Sequence, residues 1–320
     1  MTAALGPVLV TGATGFIGRV LCTALLREGA AVRGLTRSDT AALSDGVQRV
    51  RATDLLDRAA IAAAVVGVRA VIHLAGRAHV MRETVADPDA EYRRVNVDGT
   101  RAVLDAARAA GVQRFLLASS VKAVAESSEI PLTERMPAVP RDGYGASKLA
   151  AEGLVLGAPA TVGATVLRFP LVYGAGVRGN MLRLFRLVDR GVPLPFGAVR
   201  NRRSLLFTGN LAAACVAVLQ SPATAGEALF VSDGQDLSTP ELVRLIAAAL
   251  GRPARLWSIP PAAFRTAARI TGAGELDRLL GSLAVDSTRL AMLTGFRAPY
   301  TVEAGLRETA AWYRSAGVAA

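Results

Sequence analysis

PVLVTGATGFIG, residues Pro7 to Gly18, is the stretch that decides how this chain folds. Pro7 to Thr11 is an apolar, β-branched run that reads as a buried strand. Gly12-Ala13-Thr14-Gly15-Phe16-Ile17-Gly18 turns out of it, and Ile17, Val20, Leu21, Ala24 and Leu25 then recur at helical spacing. Gly29, after Arg27 and Glu28, stops that helix. Glycines in a GxxGxxG run allow a tight turn, let backbone N–H groups approach a pyrophosphate and permit close helix–strand contact. The helix N-terminus adds positive field. Gly-rich turns are common by themselves; this one gains force from lying between a strand and a helix at the head of a βαβ pattern.

Outward from this turn, strands are predicted at Ala31 to Thr36, Arg49 to Thr53, Ala70 to Ala75, Arg114 to Ser119 and Ala164 to Phe169. Helices alternate with them near Arg58 to Val66, Ala90 to Ala110 and Tyr144 to Leu156. The alternation predicts an α/β fold, a Rossmann-type doubly wound parallel sheet with helices on both faces. After Pro170 the rhythm breaks into Gly- and Pro-rich stretches (Gly174 to Gly179, Gly191 to Gly197), and helices are expected to dominate. Residues 1–170 are expected to form a dinucleotide-binding domain, with 171–203 and 233–320 mainly a smaller C-terminal substrate-binding lobe. About 204–232 return to the first domain through a helix near Leu211 and a strand at Ala228 to Val231.

The chain has 320 residues, 52% hydrophobic, 20% charged and 5% aromatic, which allows one or two globular domains and excludes disordered, collagenous and coiled-coil classes. Two cysteines exclude a disulfide scaffold. No apolar run approaches the ~18 residues of a membrane span. No charged segment precedes the first apolar run as in a signal peptide, so the cytoplasm is the expected location. The net charge is +11, yet only Lys122 and Lys148 of the 37 basic residues are lysines, and the arginines are scattered among few aromatics. That distribution predicts no nucleic-acid partner.

The second strand ends at Thr36-Arg37-Ser38. An NAD site usually places an acid here, about 20 residues past the glycines, for the ribose 2′-hydroxyl. Thr36 removes a group that would repel a 2′-phosphate, and Arg37, with Arg19 nearby, supplies a partner for one. The cofactor is therefore expected to be NADP or NAD, with NADP favoured. Tyr144 and Lys148, in YGASK, share a helical face at i,i+4 spacing. For a tyrosine to act as a base near neutrality its pKa must fall by about 3, roughly 4 kcal/mol, which an ammonium and a nicotinamide cation could supply. Ser119-Ser120 ends a strand at the carboxyl edge of the sheet, where a hydroxyl can orient a reacting oxygen towards Tyr144. His73 lies inside an apolar strand and reads as a core histidine, with His79 in the loop beyond it. Two His and two Cys without close spacing predict no metal site, and no GxSxG elbow is present for a hydrolase.

These residues, over nearly the whole chain, give a sequence that resembles the extended short-chain dehydrogenase/reductases, in the NAD(P)-dependent nucleotide-sugar epimerase/dehydratase family. HLAG at His73 to Gly76, NVDGT at Asn96 to Thr100, PLTE at Pro131 to Glu134, LRFPLVYG at Leu167 to Gly174 and GLRETAAWY at Gly305 to Tyr313 also carry the likeness. HLAGRAHVM, GVRGNMLRL and AVRNRRSL are most similar to the subgroup of UDP-glucose 4-epimerase-like enzymes and UDP-4-keto-sugar reductases. The resemblance implies Ser120, Tyr144 and Lys148 as catalytic residues. It implies Gly12, Gly15, Phe16, Ile17, Gly18, Arg37, Asp54, Leu55, Leu74 and Ala75 as cofactor-binding, together with Tyr144 and Lys148. It implies Ser120, Asn180 and Arg203 at the substrate, the last two on a UDP diphosphate that suits a guanidinium. It also implies a UDP-sugar partner and a homodimer through the helices near Ala90 to Ala110 and Tyr144 to Leu156. Val121-Lys122 stand where sugar 4,6-dehydratases carry Asp-Glu, which disfavours dehydration. The readings left open are epimerase or 4-ketoreductase, an NADP-dependent reductase of an apolar ketone, and a non-catalytic dinucleotide-binding regulator.

Overall fold

The computed structural model of the chain describes residues 5–78, 85–159, 161–259 and 280–317; His79 lies outside them. Strand β1 (Val8–Thr11) sends Val8 and Val10 into one apolar layer and Leu9 into another, all three fully buried. A strand covered on both faces belongs at the centre of a parallel sheet. Here β1 lies between β2 (Val32–Thr36) and β4 (Ala70–His73), with Val8 opposite both Val32 and Ala70. With β3 (Gln48–Arg51), β5 (Arg114–Ser120), β6 (Gly163–Phe169) and β9 (Ala228–Phe230) the sheet has the order β3-β2-β1-β4-β5-β6-β9, every pair parallel.

Helices α1 (Phe16–Arg27) and α7 (Thr208–Gln220) cover one face through Leu21, Leu25, Leu211 and Cys215. On the other face α2 (Arg58–Val65), α4 (Gly99–Ala109) and α5 (Gly143–Leu156) bury Ile61, Val103, Leu104 and Val155 against Phe115 and Leu117. The Rossmann-type α/β sheet is therefore the architecture that the strand–helix alternation predicts, with element ends displaced by one or two residues.

Two features differ from the sequence expectation. The helix expected over Ala90 to Ala110 is broken: α3 (Pro88–Tyr92) opens through a wider, π-type turn at Arg93–Asp98 before α4 begins. Buried Asn96 uses its side chain to hold Arg77 and Ser147, while the Thr100 hydroxyl donates to Asn96 O at 2.6 Å, and such widened turns recur where a helical residue has other work. Beyond Pro170 the chain also forms a second sheet, of β7 (Leu171–Tyr173), β8 (Arg203–Phe207) and β10 (Asp236–Leu237), in the order β10-β8-β7. β7 and β10, of three and two residues, are too short to show a period of two in sequence. Phe185 of α6 (Gly179–Asp189), Ile246 of α8 (Thr239–Leu250) and Leu306 of α10 (Val302–Ser315) form the core beside this sheet. A short α9 (Thr288–Thr294) packs Leu290 into the layer of α1 and α7. Among the described residues no helix is long and apolar enough to cross a membrane.

Candidate active site

At the carboxyl end of β1, Gly12 adopts φ +71°, and a Cβ there would stand 2.9 Å from the Ala75 nitrogen. A Cβ at Gly18 would stand 2.2 Å from the Gly12 carbonyl oxygen, so only glycine lets α1 start this close to the strand. The turn opens onto a cavity of ≈530 Å³ along the edge of the sheet. Gly12, Gly15, Leu74 and Ala75 line its centre, and Arg37, Asp54 and Leu55 line its far end. A glycine cradle that any side chain would fill, set at a helix N-terminus, fits the pyrophosphate of a dinucleotide. Phe16, Ile17 and Gly18 do not line the cavity: Phe16 packs against Gly176, Ile17 against the core of α1 and α7, and Gly18 lies against the Gly12 carbonyl.

At the far end, Thr36 is buried and donates its hydroxyl to Ser38 O at 3.1 Å, while Arg49 donates to the same carbonyl at 3.0 Å and to Ala41 O at 2.7 Å. The loop carrying Arg37 is thereby held against β3. Arg19 turns to the glycine loop instead, donating to Thr14 O at 3.1 Å. Asp54 accepts from Leu56 N at 3.0 Å and pairs with Arg94 at 2.7 Å; these contacts, the backbone one first, hold its carboxyl below the ordinary range. Arg94 also pairs with Glu91 at 2.9 Å, and all three line the cavity. Sequence reading missed Arg94, which lies in the turn where an unbroken helix was expected.

The two consecutive serines separate cleanly. Ser119 points into the interior and donates to Glu152 Oε1 at 2.5 Å, while Ser120 lines a second cavity and is hydrogen-bonded to the Tyr144 hydroxyl. Tyr144 sits in the first turn of α5, which Asp142 caps by accepting from Gly145 N at 2.7 Å. One turn on, buried Lys148 donates to Ala118 O at 2.5 Å. Burial pulls its pKa down to about 8, partly opposed by Glu152. Burial pushes the Tyr144 phenol up to about 12, partly opposed by the Ser120 hydrogen bond. Within the protein itself desolvation dominates the phenol, and the Lys148 ammonium gives one of its three donors to a backbone carbonyl. His73 is a core residue, hydrogen-bonded through Nδ1 to the Thr11 hydroxyl at 2.8 Å.

The second cavity, ≈280 Å³, is lined by Ser120, Asn180 and Arg203 with apolar walls from Leu171, Met181, Leu184, Leu205, Leu237 and Leu242. Asn180 lies in the first turn of α6, and Arg203 opens β8 and donates to Gly281 O at 2.9 Å. Arg202 leaves this site and pairs with Asp236 at 2.9 Å. Behind the serines, Glu152 meets Arg168 of β6 at 2.7 Å, both buried, with Arg168 over the Phe230 ring at 5.4 Å. No motif announced this pair; the signal available was that Glu152 follows Lys148 by four residues on the buried face of one helix.

The profile of the NAD dependent epimerase/dehydratase family matches residues 8–231. A UDP-glucose 4-epimerase of Vibrio cholerae is 34% identical over 314 residues, covering 95% of this chain and 94% of that protein. A ceramide reductase of Caulobacter vibrioides is 31% identical over 331 aligned positions, covering 99% and 97%. Among solved structures, MoeE5 in complex with UDP-glucose and NAD superposes with a TM-score of 0.77 at 27% identity, covering 97% of this chain and 99% of that one. The chain belongs to the NAD dependent epimerase/dehydratase family and is an NAD(P)-dependent enzyme of the extended short-chain dehydrogenase/reductase type.

Proposed function

We propose that the enzyme transfers hydride at C4 of a UDP-hexose, as a 4-epimerase or as a 4-ketoreductase of the corresponding keto sugar. The observation that carries this reading is Ser120 lining the cavity that also holds Asn180 and Arg203, with the Tyr144 phenol under the influence of the Ser120 side chain. Ser120 donates to the C4 oxygen and orients it. Tyr144 takes the C4 hydroxyl proton on its phenolate oxygen in the oxidising direction and returns it to the ketone oxygen in the reducing direction. Lys148 reaches the ribose hydroxyls and steadies the phenolate; Arg203 and Asn180 hold the diphosphate. A nicotinamide dinucleotide on the glycine turn would accept or supply the hydride and, when oxidised, bring a positive charge to the phenol. Arg37, at a strand end without an acid, favours NADP. The two helices expected at a dimer seam are α4 and α5, by analogy with relatives.

The test is incubation with UDP-glucose and UDP-N-acetylglucosamine, each with NAD⁺ or NADP⁺, followed by proton NMR of the sugar, beside quantification of dinucleotide released on denaturation. A C4 epimer together with near-stoichiometric released NAD supports the epimerase. Little released cofactor, with NADPH-driven reduction of a UDP-4-keto sugar, supports the ketoreductase. Neither reaction with any UDP-hexose rejects the proposal.

The apolar walls of the second cavity support one further reading, an NADP-dependent reductase of an apolar ketone, as does the likeness to a ceramide reductase. It requires that UDP not compete with the substrate.

A further inference from the structure

Lys122 follows Ser120 by two residues, in the short turn Val121–Ala123 that closes β5. Its ammonium meets Asp142 Oδ2 at 2.6 Å and Glu126 Oε1 at 2.7 Å, and all three side chains are partly buried. Its backbone N–H donates to Ser120 Oγ at 3.2 Å. Asp142, for its part, caps α5 two residues before Tyr144. One side chain thus joins the serine turn to the start of the tyrosine helix. It is also one of only two lysines among 37 basic residues.

We propose that Lys122 is a positioning residue for Tyr144: it ties the serine turn to the cap of α5 and cancels negative charge that Asp142 and Glu126 would otherwise direct at the phenol. The proposal rests on Tyr144 as the acid–base group of the reading above. Ser120 and Asp142 act on that phenol directly, Lys148 stands one turn on in the same helix, and Lys122, paired with Glu126, meets Asp142 from the serine turn. From α3 come the Tyr92 ring at 5.9 Å and Asp89 against Gly143, with Arg77 over the Tyr92 ring at 5.5 Å. Two carboxylates against one ammonium leave a single net negative charge in the turn-and-cap cluster. Loss of the lysine doubles that charge, and a negative neighbour disfavours phenolate. Asp142 already raises the phenol, in line with this sign. Burial would raise the Asp142 carboxyl, but the Lys122 ammonium and the Gly145 N–H hold it below its ordinary value, so it stays charged.

The experiment follows the phenolate absorbance of Tyr144 in the protein saturated with NAD⁺, as the difference from Tyr144→Phe, across neutral to alkaline pH. Lys122→Met raises the midpoint by about one pH unit, a tenfold loss of phenolate at fixed pH. Asp142→Asn keeps a capping oxygen and lowers the midpoint. Lys122→Met/Asp142→Asn restores the original net charge and returns the midpoint to near wild type, and Lys122→Arg leaves it in place. A midpoint unmoved in Lys122→Met, or one still displaced in the double variant, overturns the proposal. So does a change confined to KM for the sugar, which would make Lys122 a substrate contact. Should Lys122→Met fail to fold, an unmoved midpoint in Asp142→Asn overturns it alone. Absence of turnover with any UDP-hexose would count against the substrate, and the titration reads without one.

Discussion

Glu152 of α5 and Arg168 of β6 form an ion pair 2.7 Å apart in the interior, and the same carboxylate takes the hydroxyl of Ser119. The pleat of β5 turns the adjacent Ser120 the other way, towards the second cavity, and this pair holds Ser119 on the interior side. A buried charge left without its partner costs about 3–5 kcal/mol, whereas replacing both by apolar groups is far cheaper. Glu152→Leu should therefore lower stability by about that amount in urea unfolding, and Glu152→Leu/Arg168→Met should recover most of it. A loss in the double variant as large as in Glu152→Leu alone would contradict this recovery, and losses that simply add would show that the pair is not coupled.

Tyr144→Phe removes the hydroxyl that meets Ser120 and nothing from the glycine turn. Turnover should fall ~10²-fold or more while dinucleotide affinity stays near wild type. Because burial pushes this phenol up, kcat/KM of the wild-type enzyme in the oxidising direction should rise with pH as phenolate forms. A Tyr144→Phe enzyme with full turnover removes Tyr144 from the mechanism.

Arg37 lines the far end of the dinucleotide cavity on a loop that Arg49 holds in place. Arg37→Ala should weaken NADPH much more than NADH in fluorescence titrations, by about 10-fold for one lost charge-assisted contact. Equal losses would rule out the NADP preference.

His73 is fully buried, and burial first, with the charge of Lys148 second, pulls its pKa down to about 3. Its folded pKa thus lies below the unfolded value, so between the two the unfolded chain binds the extra proton and stability falls as pH falls. From pH 7 to 5 this group alone should cost about 2 kcal/mol. Urea unfolding at the two pH values should show that much more acid sensitivity in wild type than in His73→Leu; the same pH dependence in both would contradict it.

The parallel sheet was legible because most of its strands are buried apolar runs that alternate visibly with helices. Gly12 and Gly18 were legible because their spacing encodes a backbone approach that no side chain survives. Lys122 was readable only as a departure from the dehydratase pattern, since its partners lie four and twenty residues away. Arg94 was hidden by the break in its helix, which has no local cause: it follows from Asn96 reaching Arg77 and Ser147.

Local sequence alone determined the strand–helix alternation of the parallel sheet, the glycine turn, and the helical face shared by Tyr144 and Lys148. These depend on periodicity and backbone freedom, which act over a few residues. Tertiary structure decided which serine faces the second cavity, that Lys148 donates to Ala118 O, and that Lys122 serves two carboxylates. It also decided that the cavity beside Ser120 has apolar walls drawn from β7, α6, β8, β10 and α8. Those outcomes depend on desolvation and on pairing between groups far apart in the chain, and both arise only when the elements close on one another.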